Sequence, residues 1–360
     1  MKPDNALSGV PERTGMIAIE KAAVQFGKGT PTIIPLGNGL INRTYKVDFT
    51  DSHPIVLQCI NQSTFPQPEN IINNYRLIQD YAVKTGGNKI SSLLPTSHGK
   101  YYWIDAEGNF WRATEFIGNS YASAIPENTG QVFTAAKSFA AFTQSLNGLK
   151  AEELAIIIPN FHNLAFRYKQ FEDTVKKAHI SRLLKSTHVI SEIRDRITLV
   201  DFYNEIENNE SDYPTRIMHH DCKISNILFD ASTRAVICPV DLDTVMPGKY
   251  FSDIGDMIRT MACTEEENST AWELIDVKAD YYTAIINGYT EGMGKDLTAA
   301  EKQHIHQPGL LLTYMQCLRF VTDFLNNDIY YKTTYPEQNL NRALNQLILL
   351  EKLEEYISKL

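Results

Sequence analysis

An excess of positive charge, long apolar runs and paired cysteines are what this 360-residue sequence lacks. No stretch of about eighteen consecutive apolar residues occurs, which excludes a bilayer-spanning helix, and the opening Met-Lys-Pro-Asp-Asn has no apolar core of a signal peptide. Five cysteines (Cys59, Cys222, Cys238, Cys263 and Cys317) are scattered and odd in number, so no disulfide framework is expected and a reducing, cytoplasmic setting suits them. Against 43 Asp and Glu stand 34 Lys and Arg, a net charge of −9. That balance argues against nucleic acid and anionic membrane as partners, both of which require basic surface, and mildly suits cationic small molecules. Internal repeats and low-complexity tracts are missing too. What is present is 43% hydrophobic residues, enough for a sizeable core and for two domains or lobes.

The chemistry concentrates in residues 217–229, Ile-Met-His-His-Asp-Cys-Lys-Ile-Ser-Asn-Ile-Leu-Phe, and 235–243, Ala-Val-Ile-Cys-Pro-Val-Asp-Leu-Asp. Two apolar runs flank a turn-forming stretch at 230–234, which predicts a β-hairpin. In an antiparallel pair the start of the first strand lies beside the end of the second, so Asn226 is expected next to Asp241. Asp221 lies on the loop feeding the hairpin. Three oxygen-bearing side chains therefore converge with Lys223 among them, the set that a hard cation and a phosphoryl transfer require. A zinc site from His219, His220 and Asp221 is disfavoured, because three adjacent residues cannot easily face one ion and no Cys-x-x-Cys accompanies them.

His219-x-Asp221-x-Lys223-x-x-Asn226 followed by a strand-terminal Asp resembles the catalytic and metal-binding loops of the protein-kinase-like superfamily. Within it the match is to the small-molecule branch of aminoglycoside phosphotransferases and choline kinases. The resemblance implies an α+β, bilobal fold, with an antiparallel five-stranded N-lobe sheet plus helix and a mainly helical C-lobe. It implies Asp221 as the base for the substrate hydroxyl, Asn226 and Asp241 as Mg²⁺ ligands, and Lys223 as the neutraliser of the γ-phosphate of ATP. His219 and Asp253 would brace the loop, and Asp243 is either support for the metal or a turn residue. A protein kinase is disfavoured, since His220 replaces the arginine that reads activation-loop phosphate and no Ala-Pro-Glu anchor follows.

Along the chain, residues 1–15 are expected to form a loose arm, 16–117 the nucleotide-binding lobe and 118–360 the lobe carrying the catalytic loop. Met16 to Phe26 has helical spacing and ends at Gly27, a suitable C-cap. Strands are expected at 32–36 and 41–49 around a Gly37-Asn38-Gly39 turn, with Tyr45, Val47 and Phe49 on one face. Gly37, Gly39, Asn42 and Thr44 are the candidates for contact with nucleotide phosphates, although glycines serve hairpins equally well. In the strand Ile55–Ile60, Gln58 occupies the position where kinases carry a phosphate-pairing lysine; an amide can donate to phosphate but brings no charge. A helix from about Glu69 to Val83 follows, then a hairpin of Tyr101–Ile104 and Phe110–Ile117. Glu115 to Ile117 fall where kinases present backbone groups to adenine.

Helices are expected over Thr129–Leu146, Ala165–Lys177, Ile190–Asn208, from Tyr250, and over Asn339–Leu360. Asp253 and Asp256 at the start of the fourth suit a helix N-terminus. His162 is expected to be structural, and His304-x-His306 to be solvated surface.

Within the superfamily, several stretches are similar to the N-acetylhexosamine 1-kinase family across most of the chain. They are Gly37-x-Gly39-x-Ile41-Asn42-x-Thr44, Val56-Leu-Gln-x-Ile-Asn61, Trp111-Arg-x-Thr-Glu-Phe-Ile117, Val240-Asp-Leu-Asp-Thr-Val-Met-Pro-Gly248 and Arg319-Phe-x-Thr-Asp323. That family also carries Gln at the lysine position. The resemblance implies phosphorylation of the anomeric hydroxyl of N-acetylglucosamine or N-acetylgalactosamine with ATP and Mg²⁺, and makes Arg319 and Tyr330 candidates for sugar contacts. Guanidinium forks suit vicinal hydroxyls and aromatic faces cover apolar sugar faces; the alternative for Arg319 is an i,i+4 pair with Asp323. Other acceptors (choline, an aminoglycoside, homoserine) and a non-catalytic nucleotide-binding module are the competing readings.

Overall fold

Tyr45, Val47 and Phe49 alternate with polar residues, and the strand they form buries them on one face of an antiparallel sheet. The computed structural model describes residues 13–37 and 41–360. These fall into two compact units, one within Met1–Gln79 and Ser91–Gly118, the other within Asp80–Ile90 and Asn119–Leu360.

In chain order the first holds α1 (Arg13–Phe26), β1 (Pro31–Pro35), β2 (Arg43–Phe49), β3 (Ile55–Ile60), α2 (Pro68–Thr85) as far as Gln79, β4 (Leu93–Leu94), β5 (Trp103–Ile104) and β6 (Phe110–Glu115). The sheet runs β1-β2-β3-β6, with β4 and β5 both pairing with the far edge of β6. One face packs Tyr45, Val47, Leu57, Trp111 and Ala113 against Ile19, Ala22 and Ala23 of α1. By the strand alternation the other face carries Thr44, Gln58 and Arg112.

The sheet thus has six strands, not five. The addition, β4, is two residues long, and no periodicity can announce a strand that short. Helix α1 begins at Arg13 and so takes in the last three residues of the expected arm, while residues 1–12 lie outside the described residues. Gly27 follows α1 without a left-handed backbone. A Cβ there would meet the Phe49 ring at 2.3 Å, so close packing, not C-capping, demands the glycine.

The second unit holds β7 (Ser120–Tyr121), α3 (Thr129–Ser145), α4 (Leu164–Val175), α5 (Ile180–Asp195), α6 (Thr198–Asn208), β8 (Arg216–Met218), β9 (Ile227–Asp230), β10 (Val236–Pro239), β11 (Met246–Gly248), α7 (Phe251–Met261), α8 (Ala279–Met293), α9 (Ala299–Gln303), α10 (Gln307–Leu325) and α11 (Gln338–Ile357). α10 is the central helix. From Pro308 to Leu325 only Gln316, Arg319 and Thr322 escape full burial, a single polar stripe at three-residue spacing. The helix expected over Ile190–Asn208 is two, α5 and α6, broken at Arg196. That guanidinium is held by Glu192 and Glu354. Apolar spacing runs across the break because both helices face one core.

α3 and α8 approach closely because Gly288 and Gly292, one turn apart, lie against Ala136 and Ala140. A Cβ on Gly288 would stand 2.4 Å from the Phe133 carbonyl oxygen. Gly288→Ala gains ~1 kcal/mol of helix propensity but overpacks backbone against backbone, which costs ~1–3 kcal/mol. The net outcome is destabilisation, read as a lower thermal midpoint; an unchanged or higher midpoint would mean the helices can separate freely.

Candidate active site

Residues 219–226 leave β8 and re-enter as β9, and the loop between is held by side chains of α7. Asp253 accepts the backbone N–H groups of His219 at 3.0 Å and His220 at 2.8 Å through separate oxygens. Asp256, one turn further, accepts the Cys222 N–H at 2.8 Å. His219 adds a third tie: its Nε2 donates to the Val240 carbonyl at 3.0 Å, and its ring lies edge-on to Phe139 and Phe142. His220 adopts φ 65°, and Gly248 allows its ring to approach, since a Cβ there would meet Nε2 at 2.4 Å. Asp253 and His219 thus stand where bracing residues were expected. Asp256, read from sequence only as a helix-start residue, performs the same service.

The loop converges its chemistry on Asp221. Its Oδ2 accepts from Lys223 Nζ at 2.9 Å and from Asn226 Nδ2 at 2.9 Å, and the Asn226 amide also donates to the Asp221 carbonyl at 2.8 Å. Burial pushes the Asp221 carboxyl up, but Lys223, His219 and Asn226 outweigh it and hold the group below its ordinary range. For Lys223 burial opposes the charge, while Asp221 and Asp241 raise its pKa.

The hairpin forms as the spacing predicts. Pro239 pairs with Ile227, and the Val240 N–H donates to the Asn226 carbonyl at 2.9 Å, bringing Asp241 beside Asn226. Asp241 takes a left-handed backbone, φ 62° and ψ 57°, a strained choice of the kind that sites impose. Asp243 is 2% exposed on the turn that follows. With its nitrogen committed to Asp221, Asn226 has its amide oxygen left to meet a cation. No three His, Cys, Asp or Glu side chains converge on one point among the described residues. Asn226 and Asp241 therefore fit Mg²⁺ of the kind held by one or two side chains plus substrate phosphates.

Next to the loop lies a cluster of rings and cations. His220 is 5.4 Å from His162, which stacks on Phe161 at 4.5 Å. Arg319 lies 5.5 Å from the Phe161 ring, 5.7 Å from Tyr331 and 6.0 Å from Tyr330. Arg319 does not pair with Asp323. It donates to Gln316 Oε1 at 3.1 Å, while Asp323 accepts the backbone N–H groups of Tyr330 and Tyr331. Burial, then His220, Arg319, Arg259 and Arg167, push the His162 imidazole well down, so it is neutral at pH 7. Burial and Arg319 bring Arg167 down to about 10. The buried atoms His162 Nδ1, Arg167 Nε and the Tyr331 hydroxyl have no hydrogen-bond partner among the described residues. Arg167 and Tyr331 escaped sequence reading because one stands mid-helix and the other beside a more exposed tyrosine. His304 and His306 are not solvated surface: their Nδ1 atoms lie 2.7 and 3.0 Å from the hydroxyls of Tyr213 and Tyr282.

In the first unit, Gln58 donates to Thr44 Oγ1 at 3.2 Å and accepts from Arg112. Asn42 is buried, and its side-chain oxygen takes the Asn61 N–H at 2.9 Å. Gly37 has φ 71°, suited to a turn, whereas Gly39 lies outside the described residues. The backbone of Glu115 is already engaged, its N–H with Ser92 at 2.8 Å and its carbonyl with the Ser91 hydroxyl at 2.9 Å.

An antiparallel sheet with a catalytic loop set in a helical unit is the architecture of protein-kinase-like phosphotransferases. The profile of the phosphotransferase enzyme family matches residues 32–293, and the chain belongs to that family. Solved structures of the same fold include an aminoglycoside phosphotransferase from Alicyclobacillus acidocaldarius, at TM-score 0.64 and 12% identity over 99% of this chain and 98% of that one. Another is a microcompartment-associated aminopropanol kinase (TM-score 0.60, 15% identity, 96% and 98% covered). A third is an amicoumacin kinase in complex with AMP-PNP, Ca²⁺ and Ami (TM-score 0.59, 14% identity, 94% and 93% covered). Among the described residues no helix is long and apolar enough to cross a membrane.

Two outcomes follow from the loop. Asp253→Ala leaves two buried N–H groups without acceptors, at about 1–3 kcal/mol each, so denaturant unfolding should show a clear loss of stability; a loss below ~0.5 kcal/mol would mean that the loop is held elsewhere. Because the Asp221 carboxyl is held low, it stays ionised as pH falls to 5, and kcat/KM should show no carboxylate limb between about pH 5 and 8. A limb in that window that disappears in Asp221→Asn would reverse the assigned direction.

Proposed function

We propose that the protein is an ATP- and Mg²⁺-dependent kinase that phosphorylates the anomeric hydroxyl of an N-acetylhexosamine. One observation carries the choice of acceptor: the groups flanking the catalytic loop at His162 are three arginines (Arg167, Arg259 and Arg319), two imidazoles and aromatic rings, and the nearby carboxylates of Asp323, Asp256 and Glu267 are engaged by backbone N–H groups or by Arg259 and Arg342. An ammonium acceptor such as choline, aminopropanol or an aminoglycoside needs carboxylates there and would meet guanidinium charge instead. A neutral polyhydroxylated ring suits the site, with Arg319 and Arg167 as donors to hydroxyl or acetyl oxygens and Tyr330, 63% exposed, as a stacking face.

In this reading Asp221 takes the proton of the attacking hydroxyl and Lys223 neutralises the γ-phosphate. Asn226 and Asp241 would hold Mg²⁺, which would supply positive charge to the nucleotide phosphates. Asp243 supports the metal strand. Nucleotide contacts come from Gly37, Asn42, Thr44 and Gln58, with Ile117 at the adenine. Asp221→Asn should lower kcat on the order of 10²-fold or more with ATP affinity retained. Arg319→Ala should cost ~1–3 kcal/mol in kcat/KM for the sugar and leave KM for ATP nearly unchanged. Phosphorus NMR of the product decides the class. A sugar 1-phosphate supports the reading, while a dominant 6-phosphate, or faster turnover of choline, homoserine or kanamycin than of any hexosamine, overturns the acceptor assignment.

A further inference from the structure

Three side chains form a row across the sheet of the first unit, perpendicular to its strands. Thr44 on β2 pairs with Gln58 on β3, and Gln58 pairs with Arg112 on β6. The Arg112 guanidinium is 1% exposed and sets Nε at 3.0 Å and Nη2 at 2.8 Å from the one oxygen, Gln58 Oε1. A guanidinium can only donate, so this fork fixes the amide with its oxygen towards Arg112 and its nitrogen away. That nitrogen spends one hydrogen on Thr44 Oγ1, at 3.2 Å, and keeps a second for a ligand.

Burying a guanidinium costs several kcal/mol of hydration, and a neutral donor would have satisfied the same amide oxygen. At that place the charge adds to the amide a field that a neutral donor would lack. Donation into the carbonyl oxygen withdraws electron density from the amide and strengthens the N–H on its far side, so the positive charge reaches beyond the buried group that carries it. The other cation on this face, Lys46, is already paired with Asp48 at 2.9 Å and lies over the Phe116 ring at 4.8 Å.

We propose that Arg112, acting through Gln58, supplies to the nucleotide phosphates the positive charge that protein-kinase-like enzymes take from a lysine at the Gln58 position. Arg112 is then a positioning residue and Gln58 the phosphate contact. The assignment rests on the ATP-dependent reading above.

Calorimetric titration of the full-length protein with ATP and with adenosine, both with Mg²⁺, tests it. Arg112→Met should weaken ATP about 10- to 100-fold and adenosine less than about twofold, the range of one charge-assisted hydrogen bond. Gln58→Lys added to Arg112→Met should recover ATP binding about tenfold or more, which a merely structural arginine would not permit. Should Arg112→Met fail to fold, Gln58→Leu with Arg112 intact cuts the same link and should weaken ATP alone. Equal losses for ATP and adenosine, no recovery in the double variant, or selective loss of ATP in Lys46→Met instead would each overturn the proposal. A wild-type protein that binds ATP in this charge-dependent way yet phosphorylates no acceptor would sustain it and refute the kinase reading.

Discussion

Asp253 and Asp256 stand one turn apart at the start of α7 and accept three backbone N–H groups of one loop, those of His219, His220 and Cys222. That grip holds the backbone from which Asp221 projects. A loop with a left-handed His220 and unpaired amides would not hold one conformation in water, and Asp221 would lose its fixed relation to Lys223 and Asn226. The grip is itself anchored in depth. Asp256 pairs with Arg259 at 2.9 Å, Arg259 with Glu267 at 2.7 Å, and Glu267 with Arg342 of α11. Buried ion pairs contribute little net stability, but one partner removed leaves a charge stranded, so such a ladder resists local rearrangement.

Charge acts differently at the two scales of this molecule. The sum over the chain is −9, which on its own suits a cationic acceptor. Beside the catalytic loop the balance inverts, because the acids there are engaged by guanidinium or backbone partners while Arg167 and Arg319 keep donors for a ligand. In the proposed reading selectivity follows the local field, which decays within a Debye length of about 8 Å at physiological salt, and not the total.

In the first unit a pair takes the part of a lysine in the proposed nucleotide contact. Gln58 and Arg112 are 54 residues apart in sequence and directly opposite in the sheet. Splitting contact from charge lets a short polar group meet the ligand while the cation is fixed in the core. Its cost is the buried guanidinium, offset by the fork into the Gln58 oxygen and the face of Tyr75 at 5.8 Å.

Strand and helix types, the β9–β10 hairpin and the meeting of Asn226 with Asp241 were legible in the residues, since period-two alternation, period-3.6 spacing and antiparallel pairing are local rules. Asp221, Lys223 and His219 were legible through their spacing. The two-residue β4, the break at Arg196 and the tight seat of Gly27 against Phe49 were not, because each answers to a neighbour distant in the chain. For Arg319, sequence left Asp323 as an equal partner, and only the fold showed Asp323 engaged by Tyr330 and Tyr331. Sequence alone determined which reactive groups one loop holds together; tertiary structure decided which charges stand across from them, because cross-strand and interhelical neighbours are set by packing and not by spacing.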